Sequence, residues 1–199
     1  NNNYGTVMNI SKVYFDSEQN AMFFNGKNDE DATGISINNL NYVSGPSDQL
    51  ESFTIQARIK AKSELTNHGS DERIIISFDR SAVFRLAIGS DADTGVEGKL
   101  VFGFSNEDGS HTSYNLNQSL DLRDDQWHEI AIQFKANIQN GLKFYIDGNL
   151  IHSDTNSYKP IGGQIDNETP RYGNIGNGSE MQSATGTTNP DPVSYTHLT

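Results

Sequence analysis

The run Asp125-Gln-Trp-His-Glu-Ile-Ala-Ile-Gln-Phe134, followed after a short polar loop by Leu142-Lys-Phe-Tyr-Ile-Asp-Gly-Asn-Leu-Ile151, decides the fold of this chain. Alternate residues of the first run form one face of a strand: His128, Ile130, Ile132 and Phe134. Alternate residues of the second run do the same: Leu142, Phe144 and Ile146. The chain then reverses at Asp147-Gly148-Asn149, a composition typical of hairpin turns. The pattern predicts two paired strands and a tight hairpin.

Similar short segments continue along the chain, separated by Gly, Asn, Asp and Ser at the spacing expected of a β-sandwich. Arg73-Ile-Ile-Ile-Ser-Phe78 is a continuous apolar run and predicts a central strand that is covered on both faces. Three other strands are predicted from apolar residues at alternate positions: Phe53, Ile55, Ala57 and Ile59; Phe84, Leu86 and Ile88; Leu100, Phe102 and Phe104. No segment has the pattern of a long amphipathic helix.

The composition of the chain limits its possible folds and functions independently of the strand pattern. A chain of 199 residues with ten Phe and eight Tyr can build one large all-β domain. Its net charge of −12, with no cluster of Lys and Arg, argues against a nucleic-acid or anionic-membrane partner. No apolar run approaches the length needed to span a membrane, so we expect no membrane insertion. The absence of Cys excludes a disulfide framework and favours a bacterial or phage surface protein over a secreted eukaryotic domain. Because the chain starts at Asn1, we expect it to be part of a longer protein with neighbouring domains.

Three segments in order resemble the LamG-like, concanavalin A-like jelly rolls. They are Ala21-Met-Phe-Phe-Asn-Gly-Lys-Asn-Asp29, Glu51-Ser-Phe-Thr-Ile-Gln-Ala-Arg-Ile59 and the hairpin quoted above. The resemblance covers roughly residues 20 to 176 and implies an all-β, two-sheet antiparallel jelly roll of about a dozen strands. It also implies an extracellular recognition module. In that family a closing strand usually follows the segment matched here by Arg171–Glu180, and we expect this chain to lack it.

The two ends of the chain differ from the middle. We expect a single domain over residues 1–180 and a disordered tail over 181–199. The last residues, Asp191-Pro-Val-Ser-Tyr-Thr-His-Leu-Thr199, resemble a translated sequencing-adapter remnant and are set aside as non-native. His197 therefore carries no functional weight in this interpretation.

The enzyme hypothesis depends on paired carboxylates, because related jelly rolls include glycoside hydrolases that carry Glu-x-Asp-x-Glu on one strand. The nearest match, Gln164-Ile-Asp-Asn-Glu168, has Gln in place of the nucleophile and lies between loop signals. The five histidines show no metal-binding spacing. We therefore expect a non-catalytic protein, with a glycoside hydrolase fragment as the least favoured alternative.

Calcium is a candidate cofactor, because Asp- and Asn-rich loops supply the oxygen ligands that it prefers, and because many LamG-like domains bind it. The first candidates are Asn25 and Asp29, and the second are Asp91 and Asp93. The alternative for each is a turn residue that bonds its own backbone, or simply a solvated acidic surface.

Carbohydrate is the ligand class that the resemblance and the composition both favour. Sugars are held by amide and carboxylate hydrogen bonds together with an aromatic platform. Trp127 is the default platform by residue type, but its place in the signature hairpin favours packing in the core. The candidate ligand-binding residues lie in turns instead: Asp79, Arg80, Asn106, Asp108, Asn177 and Glu180. A structural ion pair is the alternative for Asp79 and Arg80.

The sequence thus favours a non-catalytic, extracellular or cell- or virion-surface module of a larger adhesin-type protein. We expect it to recognise carbohydrate or glycoprotein, with calcium as a candidate aid. The main alternative is a structural or protein-interaction module that binds no small ligand.

Overall fold

The computed structural model describes residues 5–7, 13–24, 34–42, 49–62, 73–78, 83–89, 97–106, 110–162, 171–176 and 197–198. Within these ranges the regular elements are all strands. No helix there is long and apolar enough to span a membrane. The strands are β1 (Gly5–Val7), β2 (Val13–Asp16), β3 (Ala21–Phe24), β4 (Ile35–Tyr42), β5 (Ser52–Lys60), β6 (Arg73–Phe78), β7 (Phe84–Ile88), β8 (Leu100–Ser105), β9 (His111–Asn115), β10 (His128–Lys135), β11 (Leu142–Ile146), β12 (Asn149–Asp154), β13 (Arg171–Ile175) and β14 (His197–Leu198).

The strands form two seven-stranded sheets whose described strand pairs are all antiparallel. Sheet A has the order β1-β4-β13-β6-β7-β8-β9, and sheet B has the order β12-β11-β10-β5-β14-β3-β2. The prediction of an all-β, two-sheet jelly roll is confirmed.

The core lies between the sheets and is formed by the apolar faces that alternation predicts. Phe53 of sheet B stacks on Phe84 of sheet A with ring centroids 5.3 Å apart. Phe102 of sheet A meets Phe144 of sheet B edge to face at 6.4 Å. Strand β6 is the fourth of seven strands in sheet A, so the prediction that it is central and covered is also confirmed.

The signature hairpin forms as predicted. β10 pairs with β11 in the register Ile130↔Ile146 and Ile132↔Phe144, which places the apolar faces of both strands toward sheet A. β11 and β12 are joined by Asp147 and Gly148, whose φ angles are 51° and 76°. Positive φ at both central residues is the geometry of the tight turn that suits twisted strands.

One sequence expectation differs from the structure at the C-terminal end. His197 and Leu198 lie between β5 and β3, with Leu198 paired to both Ile59 and Met22. A short strand therefore occupies the place of a closing strand, which the sequence interpretation expected to be missing. The expectation that the last residues are non-native stays a prediction. Residues 181–196 lie outside the described residues, and the domain boundary at residue 180 stays a prediction.

Candidate functional site

The outer face of sheet B carries a set of polar and aromatic side chains that strand alternation turns away from the core. Along β5 the residues at even positions from 52 to 58 are exposed, while Phe53, Ile55 and Ile59 turn inward. The exposed residues of β10 and the partly exposed residues of β11, Lys143 and Tyr145, continue the same face across the sheet. Pairing places Arg58 beside Glu129 on the neighbouring strand. The sheet thus presents its side chains in rows that run across three strands.

Two adjoining hollows, of about 350 and 250 Å³, follow this face and share Thr54 and Gln133 in their linings. We call their outward-facing lining the sheet B groove, formed by Thr54, Gln56, Glu129, Ala131, Gln133, Lys143 and Tyr145. Ala131 is paired with Gln56 on one side and with Tyr145 on the other. Because Ala131 has the smallest side chain of this row, it leaves open space between two longer polar groups.

The polar groups of the groove are accessible for hydrogen bonding. The Tyr145 hydroxyl donates to Gln133 Oε1 at 3.0 Å, and Gln133 is exposed. This hydrogen bond leaves the two N–H donors of the Gln133 amide directed to solvent or a ligand. Gln56 and Thr54 are also exposed and supply a second amide and a hydroxyl. The groove therefore offers neutral donors and acceptors beside an aromatic ring.

Trp127 lies at one end of this face, immediately before β10. It is half-buried and is not among the core residues. The Arg58 guanidinium lies over its indole ring, 4.9 Å from the centroid, in cation–π geometry. The sequence interpretation, which favoured core packing for Trp127, was wrong on this point. Alternation contained the signal, because a buried His128 requires its neighbour to face outward.

A buried histidine between two carboxylates holds this end of the groove. His128 Nδ1 lies 2.8 Å from Asp147 Oδ2, and Nε2 lies 3.1 Å from Asp124 Oδ1. Asp147 Oδ1 also accepts the Glu129 backbone N–H at 2.8 Å. Burial disfavours charge on His128, but hydrogen bonds and the charges of Asp147 and Asp124 outweigh it and raise the pKa of the imidazole. We call His128, Asp147 and Asp124 the His128 clamp. It joins the β11–β12 turn to the segment before β10 that carries Trp127.

A second charged cluster has a structural role. Arg123 is 9% exposed, donates to Asp121 Oδ1 and Oδ2 at 2.9 and 2.6 Å, and also pairs with Glu97. Hydrogen bonding to Arg123 holds the pKa of Asp121 below its ordinary value despite partial burial. Both carboxylates are thus paired with Arg123, and the cluster fastens the segment before β10.

Most of the residues predicted to bind a ligand or calcium lie outside the described residues. These are Asp79, Arg80, Asp108, Asn177 and Glu180 for a ligand, and Asn25, Asp29, Asp91 and Asp93 for calcium. Their roles stay predictions. Within the described ranges, no group of three His, Asp or Glu side chains is arranged to hold a metal ion.

Asn106 is the predicted ligand-binding residue that the structure describes. It is 5% exposed, and its Nδ2 donates to Ser110 Oγ at 3.0 Å and approaches Thr112 Oγ1 at 3.4 Å. Its backbone N–H donates to the Ser110 carbonyl at 2.9 Å. These contacts join the end of β8 to the residues at the start of β9. Asn106 does not line the sheet B groove, and its role in binding a ligand stays a prediction.

Comparison with known proteins agrees with this architecture. The family model Laminin_G_3, described as the concanavalin A-like lectin/glucanases superfamily, matches residues 29–186. The chain therefore belongs to the concanavalin A-like lectin/glucanase superfamily. No protein with a curated description is significantly similar to it in sequence.

Solved structures with the same fold include binding domains of clostridial-type toxins. The binding domain of Paraclostridial mosquitocidal protein 1 has a TM-score of 0.55 and 15% identity, covering 100% of this chain and 43% of that one. A structure of botulinum neurotoxin type C, a toxin whose cell entry depends on interaction with two ganglioside molecules, has a TM-score of 0.51 and 18% identity, covering 90% and 44%. The binding domain of botulinum neurotoxin serotype G has a TM-score of 0.52 and 16% identity, covering 92% and 45%. The chain spans less than half of each of these structures, and at this identity the likeness concerns the fold.

Proposed function

We propose that this chain is a non-catalytic carbohydrate-binding module that holds a glycan in the sheet B groove. The observation that carries the proposal is the row of Gln56, Ala131 and Tyr145, which sets an amide and a phenol on either side of an open space. Membership of a lectin-containing superfamily supports it, as does the ganglioside named for one structural neighbour. An extracellular or cell-surface setting in a larger protein belongs to the same proposal.

The chemistry of the groove suits a sugar better than an apolar ligand. Hydroxyl-rich ligands require many donors and acceptors in a shallow, open site, and amide side chains supply both. Tyr145 and Trp127 add aromatic faces on which the C–H side of a sugar ring can pack. The hollows are open along the sheet, so a chain of several sugar residues can lie along β5 and β10.

A glycan screen followed by tryptophan fluorescence tests the proposal directly. Trp127 is the chain's one tryptophan, so a change in its emission on titration reports from the end of the groove. Ala131→Phe fills the open space while its side chain stays on the outer face, and Gln56→Ala removes one amide. We expect each to weaken binding by about tenfold or more, which corresponds to about 1.4 kcal/mol.

Asn115→Ala serves as the matched control, since it removes an exposed amide from β9 of the opposite sheet. It should leave affinity unchanged, and all three variants should melt within a few degrees of the parent. Wild-type affinity in both Ala131→Phe and Gln56→Ala would show that the glycan binds elsewhere.

Calcium assistance is a separate part of the proposal and rests on the oxygen-rich loops around Asn25, Asp29, Asp91 and Asp93. A cation that binds only the folded state raises its stability by mass action. We expect millimolar calcium to raise the melting temperature, and a chelator to reverse the shift. An unchanged melting temperature would favour a calcium-independent sugar site.

A protein-interaction module is the second candidate, favoured by apolar residues on the edge strand β12. Leu150 is 53% exposed and Ile151 is 41% exposed, and β12 has a sheet neighbour on one side. An exposed edge strand with apolar side chains is suited to pairing with another chain. Loss of partner binding in Ile151→Lys, with glycan binding intact, would support this function over the groove.

A further inference from the structure

The outer face of sheet B also gathers positive charge on a chain that is strongly acidic overall. Five of the 14 Lys and Arg residues lie along this face, while the whole chain carries a net charge of −12. We call them the cationic stripe: Arg58, Lys60, Lys62, Lys135 and Lys143. Glu129 is the acidic residue that faces outward among them on the described strands β5, β10 and β11. Local charge on this face is therefore opposite in sign to that of the molecule.

The members of the stripe are not used to neutralise structural carboxylates. In the described part of the chain, none of the five forms an ion pair. Glu129 lies opposite Arg58 in the strand register, yet Arg58 packs over Trp127 instead. Lys62 likewise lies over the ring of Phe23, 5.8 Å from its centroid. Two of the cations are thus held beside aromatic rings, with their charge available to a ligand.

The positions of the cations relate directly to the sheet B groove. Lys143 and Lys135 line its wider hollow, and Arg58 lies next to Glu129 at the other end. From Lys135 to Glu129 the strand advances six residues, or about 20 Å at the usual rise per residue. Neutral amides occupy the middle, and cations flank both ends. An extended ligand with repeated negative charges can contact both groups of cations at once.

Screening by dissolved salt determines whether a ligand in the groove responds to the cations beside it or to the net negative charge of the whole chain. At physiological ionic strength, interactions beyond about 8 Å are largely screened. The acidic surface elsewhere on the molecule then has little effect on a ligand in the groove. Contacts within the groove to Lys143 or Arg58 are shorter than this length and persist. The near contacts that a ligand in the groove can make with the outward-facing charges of β5, β10 and β11 are therefore mainly with cations.

We propose that the sheet B groove selects acidic glycans, with carboxylate or sulfate groups paired to the cationic stripe. This inference rests on the proposed carbohydrate-binding function and names its ligand class. Selection among glycans then depends on charge placed at the ends of a groove whose middle binds sugar hydroxyls.

The test compares three probes at fixed ionic strength: hexameric oligogalacturonate, its fully methyl-esterified form, and a sulfated heparin-type hexasaccharide. The ester keeps the sugar backbone and removes the charge. We expect at least one acidic probe to bind about tenfold more tightly than the ester, with a preference that decreases as salt is raised. The two acidic probes distinguish carboxylate from sulfate as the preferred group.

Variants that change single charges test whether the residues of the cationic stripe contribute to binding of the acidic probes. Lys143→Gln and Arg58→Gln should each weaken acidic-probe binding by about fivefold and weaken binding of the ester by a smaller factor, so that the preference for acid over ester decreases. Glu129→Gln should strengthen acidic-probe binding, because it removes the negative charge that faces outward on the described strands β5, β10 and β11. Lys99→Gln makes the same charge change away from the groove, because Lys99 directly precedes β8 of sheet A and bonds Asn117, and it should have no effect.

The outcomes separate this inference from the function on which it rests. Equal binding of acid and ester, or tighter binding of the ester, would overturn acidic selectivity while the carbohydrate function stands. Binding of neither acidic probe by a chain that binds neutral glycans would do the same. Tighter binding to anionic phospholipid vesicles than to either acidic oligosaccharide would also overturn it and assign the stripe to a membrane surface.

Discussion

At the scale of single residues, the surroundings of His128 determine its charge state. Its imidazole is 6% exposed, and both ring nitrogens face carboxylates, from Asp147 on one side and Asp124 on the other. Only the doubly protonated ring can donate to both. The clamp therefore depends on a charged form that burial alone would disfavour, and the two carboxylates stabilise that form.

This arrangement predicts that folding stability decreases as the pH rises above neutrality. Because the pKa of His128 is raised in the folded state, its contribution is fully present below the ordinary value of about 6.5. That contribution is lost as the pH passes through the higher folded-state pKa. Thermal melting between about pH 5.5 and 9 measures the effect. Asp147→Asn should flatten the dependence, and a parent melting temperature that is level over this range would contradict it.

At the scale of elements, side-chain contacts hold the two sheets together near β9 and β12, whereas backbone pairing of a short strand completes sheet B. Beside β9 and β12, Tyr114 stacks on Phe144 at 5.1 Å, and its hydroxyl bonds His152 Nε2. Next to it the Tyr158 hydroxyl donates to Asp154 at 2.6 Å, and burial together with this bond raises the pKa of Tyr158 to about 12. Within sheet B, the gap between β5 and β3 is closed by the two residues of β14.

Removal of β14 should therefore destabilise the sandwich. A chain that ends at residue 190 loses the backbone pairing of His197 with Lys60 and of Leu198 with Ile59 and Met22. At about 1 kcal/mol per hydrogen bond, we expect a loss of about 1–3 kcal/mol in the free energy of unfolding. The strands β5 and β3 would also gain unpaired edges, which promote association.

Denaturant titration and size-exclusion chromatography of the two lengths measure both effects. Equal stability would show that the final residues contribute nothing to the sheet, as the sequence interpretation expected.

At the scale of the whole molecule, one aromatic cluster connects the two sheets. Phe102 of β8 is fully buried and contacts Phe84 and Phe104 on its own sheet. It also meets Phe53 and Phe144 on the opposite sheet, at 6.4 Å in both cases. Because a single side chain touches strands that are distant in sequence, its loss affects both layers at once.

Phe102→Ala should lower the free energy of unfolding by about 3–5 kcal/mol, through lost burial and the cavity that remains. Phe15→Ala is the matched control, since Phe15 is 58% exposed on β2 and should cost at most about 0.5 kcal/mol. Urea titration of both variants measures the difference. A small effect of Phe102→Ala would mean that the two sheets do not share one cooperative core.

The sequence predicted the strands well because alternation is a local property. Inward residues of β5, β10 and β11 were all identified from period two alone, and the continuous run of β6 indicated its central place. The sheet B groove was not anticipated, because reasoning from turns and loops selected other residues. Among these, Asn106 bonds Ser110 through its Nδ2, and most of the others lie outside the described residues, so their roles stay predictions.

The sequence by itself determined the fold class, the two faces of each strand and the acidic character of the chain, since each depends on residue type and spacing along the backbone. Only the tertiary structure decided the rest. Arg58 and Lys143 are 85 positions apart, by subtraction of their numbers, and no run of cations joins them in the sequence. They share one face because β5, β10 and β11 are neighbours in sheet B. Strand order is set by long-range pairing and packing, and a groove built from three strands therefore has no signature in any one of them.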